Sequence, residues 1–226
     1  MHLRREVAKI SQLNVEKYAA KQVAKFRQWQ SRTPSTSKRL KIGYVSHCLK
    51  THSVGWLARW LFINHDREKF ELFTYMIGAQ ISHDDLQEWY VSTVDKAQKL
   101  ALDSLEVAEK IAEDEIDILV DLDSLTLTNT CEIMAVKPAP VQVTWLGWDA
   151  SGLSTIDYYI ADSYVLPEDA QEYYAEKIWR LPQSYIAVDG FEIGVPTLKR
   201  EHLGIPENAV IYFTAQRGYK LSLIHI

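Results

Sequence analysis

Residues 137–152, KPAPVQVTWLGWDASG, combine a proline-pinned entry, a short run of β-branched and aromatic residues, and a glycine-rich exit. The two prolines disfavour helix in the residues that precede them, so the chain enters this segment in an extended conformation. The run 141–146 has the composition of a buried strand. The small residues of 147–152 allow a backbone to approach a ligand closely. The segment therefore predicts a strand that ends in a ligand-facing loop of an α/β fold.

The flanking sequence alternates between strand and helix patterns from residue 39 onwards, which predicts a largely parallel, Rossmann-like sheet covered on both faces. Residues 1–30 have helical spacing of apolar residues, and the polar stretch 31–38 is typical of a linker. The predicted strands are 41–46, 70–77, 116–122, 141–146, 158–161 and 210–215, and the predicted helices are 54–64, 84–91, 104–114 (after Asp103 as N-cap), 130–136 and 169–177.

Composition excludes several classes of partner. The 226 residues suffice for one large α/β domain, and a net charge of -5 provides no basic field for nucleic acid. The two cysteines, Cys48 and Cys131, fit neither a disulfide framework nor a zinc spacing. Nothing resembles a signal peptide or an 18-residue apolar run, so the simplest interpretation is a soluble cytosolic protein without a membrane partner.

His52 is the first candidate for chemistry. It lies in the loop after the first predicted strand, SHCLKTHSVG, and ligands of open α/β sheets bind beyond the carboxyl ends of strands. A histidine there can donate or accept a hydrogen bond near neutral pH. The alternative is a surface or N-capping histidine.

Two acidic residues, Asp121 and Asp123, end the third predicted strand. Such a pair can bind a metal or hold a sugar hydroxyl, but carboxylates in this position more often cap the following helix, and we favour that interpretation.

Two further segments have the composition of a binding site. Backbone N–H groups of the glycine loop 147–152 can hold a sugar or phosphate oxygen, the alternative being a scaffold turn. Trp148 in that loop is interpreted as a packing residue rather than a sugar-stacking one. The terminal AQRGYK places Gln216, Tyr219 and Lys220 beyond the last predicted strand, where an amide and an ammonium suit a nucleotide diphosphate. No dinucleotide or ATP-binding glycine motif is present.

The amino-acid sequence of these segments resembles the catalytic region of the protein O-GlcNAc transferases and the related SPINDLY proteins, glycosyltransferase family 41. The motif PAP-[IV]-Q-x-x-WLG-x-x-x-[ST]-G is matched at 138–152, and Q-x-x-Y-K at 216–220. Between these two motifs, the chain also follows the family's order of shorter motifs, D-Y-x-I-x-D, Pro, Y-x-E-K and L-P. We interpret the residues of these shorter motifs as structural. The resemblance covers about residues 39–220.

The resemblance implies the fold and the reaction. The fold would be the Rossmann-like N-terminal lobe of a GT-B glycosyltransferase, truncated before most of the C-terminal lobe. The reaction would be inverting transfer of N-acetylglucosamine from UDP-GlcNAc to a Ser or Thr of a protein acceptor, with no metal or other cofactor. A SPINDLY-type O-fucosyltransferase using GDP-fucose and a non-catalytic sugar- or protein-binding module are the alternatives.

The resemblance also implies site residues. In the family a histidine six residues after the serine of the first strand lines the donor and acceptor site, and Ser46 and His52 reproduce that spacing. His52 and Lys220 would be catalytic, the lysine stabilising the departing UDP, and the substrate-binding residues would be Gln216, Tyr219, Gly147, Ser151, Gly152 and Thr126. The chain departs from the family at His47, Cys48 and Leu49, which replace Ser-Asp-Phe, and at 123–125, where a Gly-Tyr turn is usual. His47 resembles no family ligand.

The expected organisation is a helix and linker at 1–38, the N-terminal lobe at 39–207, the start of the nucleotide-binding lobe at 208–220, and a non-native tail at 221–226. The tail, LSLIHI, matches a translated transposon-end adapter. Because GT-B sites lie between two lobes, we expect residues 1–226 alone to be inactive and to bind the donor weakly.

Overall fold

The computed structural model describes residues 39–78, 83–147, 150–186, 188–190 and 194–212, together with the single helical positions 9, 13 and 17. The remainder of the predicted N-terminal helix, and the linker 31–38, lie outside the described residues. The chain divides into two compact units, Met1–Asp189 and Gly190–Ile226. None of the described helices is long and apolar enough to cross a membrane.

The first unit is a seven-stranded, entirely parallel sheet with strand order β3-β2-β1-β4-β5-β6-β7. The strands are β1 (Leu40–Ser46), β2 (Phe70–Ile77), β3 (Lys96–Leu100), β4 (Ile118–Asp121), β5 (Val141–Thr144), β6 (Tyr158–Asp162) and β7 (Lys177–Leu181). The helices are α1 (Ser53–Ile63), α2 (Asp85–Thr93), α3 (Ser104–Glu113) and α4 (Thr128–Ala135). The predicted Rossmann-like α/β class is confirmed.

Helices cover both faces of the sheet, because alternate side chains of each central strand are apolar on both sides. One core cluster contains Ala58 and Phe62 of α1 with Leu86 and Tyr90 of α2. The opposite cluster is built from α3 and α4. The predicted N-cap of α3 is confirmed, since the carboxylate of Asp103 accepts from two backbone N–H groups of the first turn.

Two strands were not predicted. The edge strand β3 reads KAQKL, and its lysines interrupt the apolar alternation that marks an inner strand. The predicted helix 169–177 is wrong: a 3-10 turn, Glu168–Tyr173, is followed by β7. The side chain of Gln171 bonds the carbonyls of Tyr174 and Glu176 and the N–H of Ile178, and so ends the helical turn and holds the start of the strand.

The second unit contains a 3-10 turn, Arg200–Leu203, ended by Gly204 with φ 65°. The predicted strand 210–215 is not observed at residues 210–212, and its other half lies outside the described residues. A strand needs a hydrogen-bonded neighbour, and the described part of this unit contains no other strand.

The exits of β4 and β5 pack directly against each other. A Cβ added to Gly147 would lie 2.7 Å from the carbonyl carbon of Asp123 and 2.8 Å from its oxygen. Both loops also hold a non-glycine residue at positive φ, Leu146 at 70° and Ser124 at 49°. This glycine is therefore needed for the close approach of two backbones.

We predict that Gly147→Ala lowers the free energy of unfolding by about 1–3 kcal/mol, because the added methyl group overpacks a backbone contact. Gly194→Ala is the matched control, since its Cβ would meet no atom of the described residues within 4 Å, and its effect should stay within about 0.5 kcal/mol. Chemical denaturation of both variants measures the difference. Equal stability of the two would contradict the close packing of these loops.

Candidate active site

The carboxyl ends of β1 and β4 form the topological switch point of the sheet. These strands are central neighbours, and the chain leaves β1 towards β2 on one side and β4 towards β5 on the other. Ligands of open α/β sheets bind in the crevice between two such diverging loops. The loops 47–52 and 122–127 therefore line the candidate site.

His52 is the N-cap of α1. Its backbone is extended, with φ -148° and ψ 156°, and its Nδ1 accepts from the N–H of Val54 at 3.3 Å. An Nδ1 that accepts leaves the proton of the neutral ring on Nε2. The capping alternative for this histidine is thus confirmed, and its catalytic role stays a prediction.

The loop that carries His52 is fixed from two sides. A Cβ on Gly55 would lie 2.2 Å from the carbonyl oxygen of Lys50, so the first turn of α1 rests directly on the loop. The N–H of Thr51 donates to the carboxylate of Asp84, the N-cap of α2, at 2.9 and 3.0 Å. The backbone that carries the imidazole is therefore held by α1 and by the carboxylate of Asp84.

Asp123 joins the two loops. The residue is 1% exposed. It accepts from Ser46 Oγ at 2.5 Å, from the His47 backbone N–H at 2.9 Å and from Thr130 Oγ1 at 3.1 Å. His47 Nδ1 also lies 2.9 Å from Asp123 Oδ2. A single buried carboxylate thus ties the end of β1 to the loop after β4 and to α4.

His47 is held as a cation by this contact. The hydrogen bond to Asp123, with a smaller contribution from Cys48, raises the pKa of His47 to about 10, although partial burial opposes the shift. The ring centroids of His47 and His52 are 6.4 Å apart. The site therefore contains an imidazolium beside the predicted catalytic histidine at neutral pH.

Asp121 has a structural role, but it closes the turn after β4 and does not cap α4, whose N-cap residue, Leu127, has no side-chain cap bond. The Asp121 Oδ1 accepts from the N–H groups of Asp123 at 2.8 Å and Ser124 at 3.0 Å. Burial, with the nearby charge of Asp123, raises the pKa of Asp121 to about 7. Thr126 closes the same turn, because its Oγ1 donates to the carbonyl of Asp123 at 2.6 Å.

The glycine loop lies partly at the site and partly in the scaffold. Gly147 touches the backbone of Asp123 and so lies beside the crevice. Ser151 is 1% exposed, and its hydroxyl and its N–H donate to the buried carboxylate of Glu176. Gly152 has φ 72°, a conformation that favours glycine. The substrate-binding role of these residues stays a prediction, and the contacts of Ser151 are those of a scaffold residue.

Trp148, Gln216, Tyr219 and Lys220 lie outside the described residues. The structure brings together His52, Thr126 and Gly147 at one edge of the sheet, with two residues that the sequence left unassigned or unnoticed, His47 and Cys48. One ligand-type atom from each of His47, Cys48 and Asp123 lies within 4.8 Å of the others. Asp123 follows the histidine by 76 residues, so only the pairing of β1 with β4 reveals the cluster.

We predict that NMR titration places the His47 pKa near 10 and that Asp123→Asn moves it towards 6.5, its ordinary value. A pKa raised on folding stabilises the protein fully below about pH 6.5, and that contribution is lost as the pH rises towards 10. The free energy of unfolding should therefore fall across this range more steeply in the wild type than in His47→Gln. A wild-type His47 that titrates at or below 6.5 would contradict the assigned contact.

Comparisons with known proteins identify the family of the chain. The family model described as Glycosyl transferase family 41 matches residues 1–201. The probable UDP-N-acetylglucosamine–peptide N-acetylglucosaminyltransferase SEC of Arabidopsis thaliana is 33% identical over 195 residues, 81% of this chain and 20% of that protein. The corresponding probable enzyme SPINDLY of Oryza sativa subsp. japonica is 36% identical over 153 residues, 65% of this chain and 16% of that protein.

A solved structure shares the fold. A mutant of the Thermobaculum terrenum O-GlcNAc transferase matches with a TM-score of 0.63 and 31% identity, covering 73% of this chain and 33% of that one. The chain thus spans about a fifth of the length of the curated relatives it matches. By the extent of the family match, with the sequence identity and the shared fold, this chain belongs to glycosyl transferase family 41.

Proposed function

We propose that the protein containing this chain transfers N-acetylglucosamine from UDP-GlcNAc to Ser or Thr hydroxyls of proteins, with inversion and without a metal. The supporting observation is the position of His52 at the switch-point crevice of a family 41 chain. Relatives named as UDP-N-acetylglucosamine–peptide N-acetylglucosaminyltransferases support the choice of donor and acceptor.

His52 would act as a hydrogen-bond donor that orients the reactants. Because its Nδ1 accepts from the N–H of Val54, the neutral ring offers an N–H at Nε2 rather than a basic lone pair. Such a group can hold a donor or acceptor oxygen, and it is a poor general base in this tautomer. Fixed positioning of two reactants is by itself a large source of rate acceleration.

The departing UDP needs positive charge near its phosphates. We assign this role to Lys220, with Gln216 and Tyr219 at the nucleotide, on the motif that they share with the family. The His47 imidazolium, held by Asp123 beside His52, adds a second positive group at the same edge of the sheet.

GDP-fucose is the second candidate donor. The chain is as similar to a protein named SPINDLY, at 36% identity, as to one named SEC, at 33%. The sequence resemblance associates the SPINDLY type with fucose transfer, so a direct donor comparison is needed.

We predict that the full-length gene product releases UDP from UDP-GlcNAc and labels protein in a cell lysate. A separate incubation with GDP-fucose provides the donor comparison. His52→Ala should lower the rate of UDP release about 100-fold or more, because a hydrogen bond at the reacting groups is lost. His83→Ala is the matched control, since that side chain is 76% exposed and pairs with the neighbouring Asp85.

Release of GDP with protein labelling would instead establish the fucose donor. Absence of nucleotide release and of protein labelling with both donors would favour a non-catalytic module. Unchanged turnover in both His52→Ala and Lys220→Ala would contradict the roles assigned to these residues.

A further inference from the structure

The thiol of Cys48 lies between two imidazoles at the carboxyl edge of the sheet. Its Sγ is 3.3 Å from Nε2 of His47 and 3.9 Å from Nε2 of His52. A thiolate combined with imidazoles is a ligand set that favours zinc over the other common biological divalent ions. None of the contacts described so far assigns a function to this thiol.

We propose that Cys48 Sγ, His47 Nε2 and His52 Nε2 form a Zn²⁺ site, in which Asp123 orients His47. Sulfur and nitrogen ligands of one tetrahedral zinc lie about 3.6 Å apart, from bond lengths of about 2.3 and 2.1 Å. The two observed sulfur–nitrogen distances, 3.3 and 3.9 Å, lie on either side of this value. The ring centroids of the two histidines are 6.4 Å apart, so binding of one ion requires the His52 side chain to turn towards His47.

Asp123 belongs to the outer layer of this site. Its Oδ2 is 2.9 Å from His47 Nδ1, a hydrogen-bond length, whereas nitrogen and oxygen ligands of one zinc lie about 3.4 Å apart. A carboxylate that holds Nδ1–H leaves Nε2 to the metal, which is the usual carboxylate–histidine–zinc arrangement. Asp123 is itself fixed by Ser46 and Thr130, so the imidazole has a rigid support.

The charges also match a divalent ion. Binding displaces the thiol proton of Cys48 and the Nε2 proton of the His47 imidazolium, after which the Cys48 thiolate and the buried Asp123 carboxylate contribute two negative charges. Three protein ligands leave the fourth tetrahedral position open to water or to an anionic ligand, as in catalytic rather than structural zinc sites.

Binding of the ion has a defined cost at α1. Zinc on Nε2 moves the proton of the neutral His52 ring to Nδ1, and Nδ1 can then no longer accept from the N–H of Val54. Because the proposed function uses the Nε2–H group of His52, zinc would inhibit the transfer, and this one consequence rests on the proposed function. The transfer itself remains independent of metal.

Cobalt is the direct probe of this site. Co²⁺ added to the reduced, metal-free 226-residue chain should produce thiolate-to-cobalt charge-transfer absorption and the strong visible bands of tetrahedral cobalt, saturating at one ion per chain. Zinc should abolish both. Cys48→Ser should remove the charge-transfer band, and Cys131→Ser should keep it, because that thiol donates to a backbone carbonyl at 3.4 Å.

The positioning role of Asp123 has a separate readout. Asp123→Asn should keep the band but lower the zinc affinity about 10- to 100-fold in a chelator competition, as is typical when such a partner is removed. His52→Gln and His47→Gln should each weaken binding, and His83→Gln should not. Circular dichroism of every variant verifies that it folds.

Absence of a charge-transfer band at stoichiometric cobalt, or a band that survives Cys48→Ser, would overturn the proposal. If Cys48→Ser does not fold, zinc-edge X-ray absorption of the wild type decides instead: one sulfur and two imidazoles support the site, and a shell without sulfur overturns it. These readouts need no donor or acceptor, so failure of the transferase assignment would leave them unchanged.

Discussion

The carboxylate of Asp123 is the contact on which the candidate site depends. Ionisable groups are rarely buried without partners, because removal from water is costly. Here the carboxylate receives hydrogen bonds from Ser46 and His47 at the end of β1 and from Thr130 in α4. It therefore fixes the distance between the two loops that diverge at the switch point, and it determines the charge of His47.

Close backbone contacts also fix the loops around the candidate site. Gly147 brings the β5 exit against the carbonyl of Asp123, and Gly55 brings α1 against Lys50. Each position excludes a Cβ for steric reasons, so the loops cannot relax independently. His52 lies at this edge of the sheet, where one ring nitrogen caps α1 and the other lies 3.9 Å from Cys48 Sγ. A rigid support of this kind suits a residue that must orient a substrate.

Sequence reasoning located most of the fold. Strong apolar runs predicted β1, β2, β4, β5 and β6, and capping and helical spacing predicted α1 to α4, because these signals are local. The lysine-rich edge strand β3 has no such signal, and β7 depends on Gln171, whose side chain bonds three backbone groups at the turn.

Only some residues of the candidate site could be predicted from the sequence. Motif resemblance indicated His52, Thr126 and Gly147, which lie together at one edge of the sheet. Sequence reasoning assigned no role to His47 and Cys48, because they depart from the family motif. Their proximity to Asp123 depends on the strand order, which spacing along the chain does not reveal.

A crystal structure of the full-length protein bound to UDP-GlcNAc tests most directly whether His52 orients the donor. We expect the donor beyond the carboxyl ends of β1 and β4, with Nε2 of His52 at hydrogen-bond distance, about 3 Å, from an oxygen of the donor. A donor bound away from this edge of the sheet, with His52 contacting no part of it, would rule out the proposed role of this histidine.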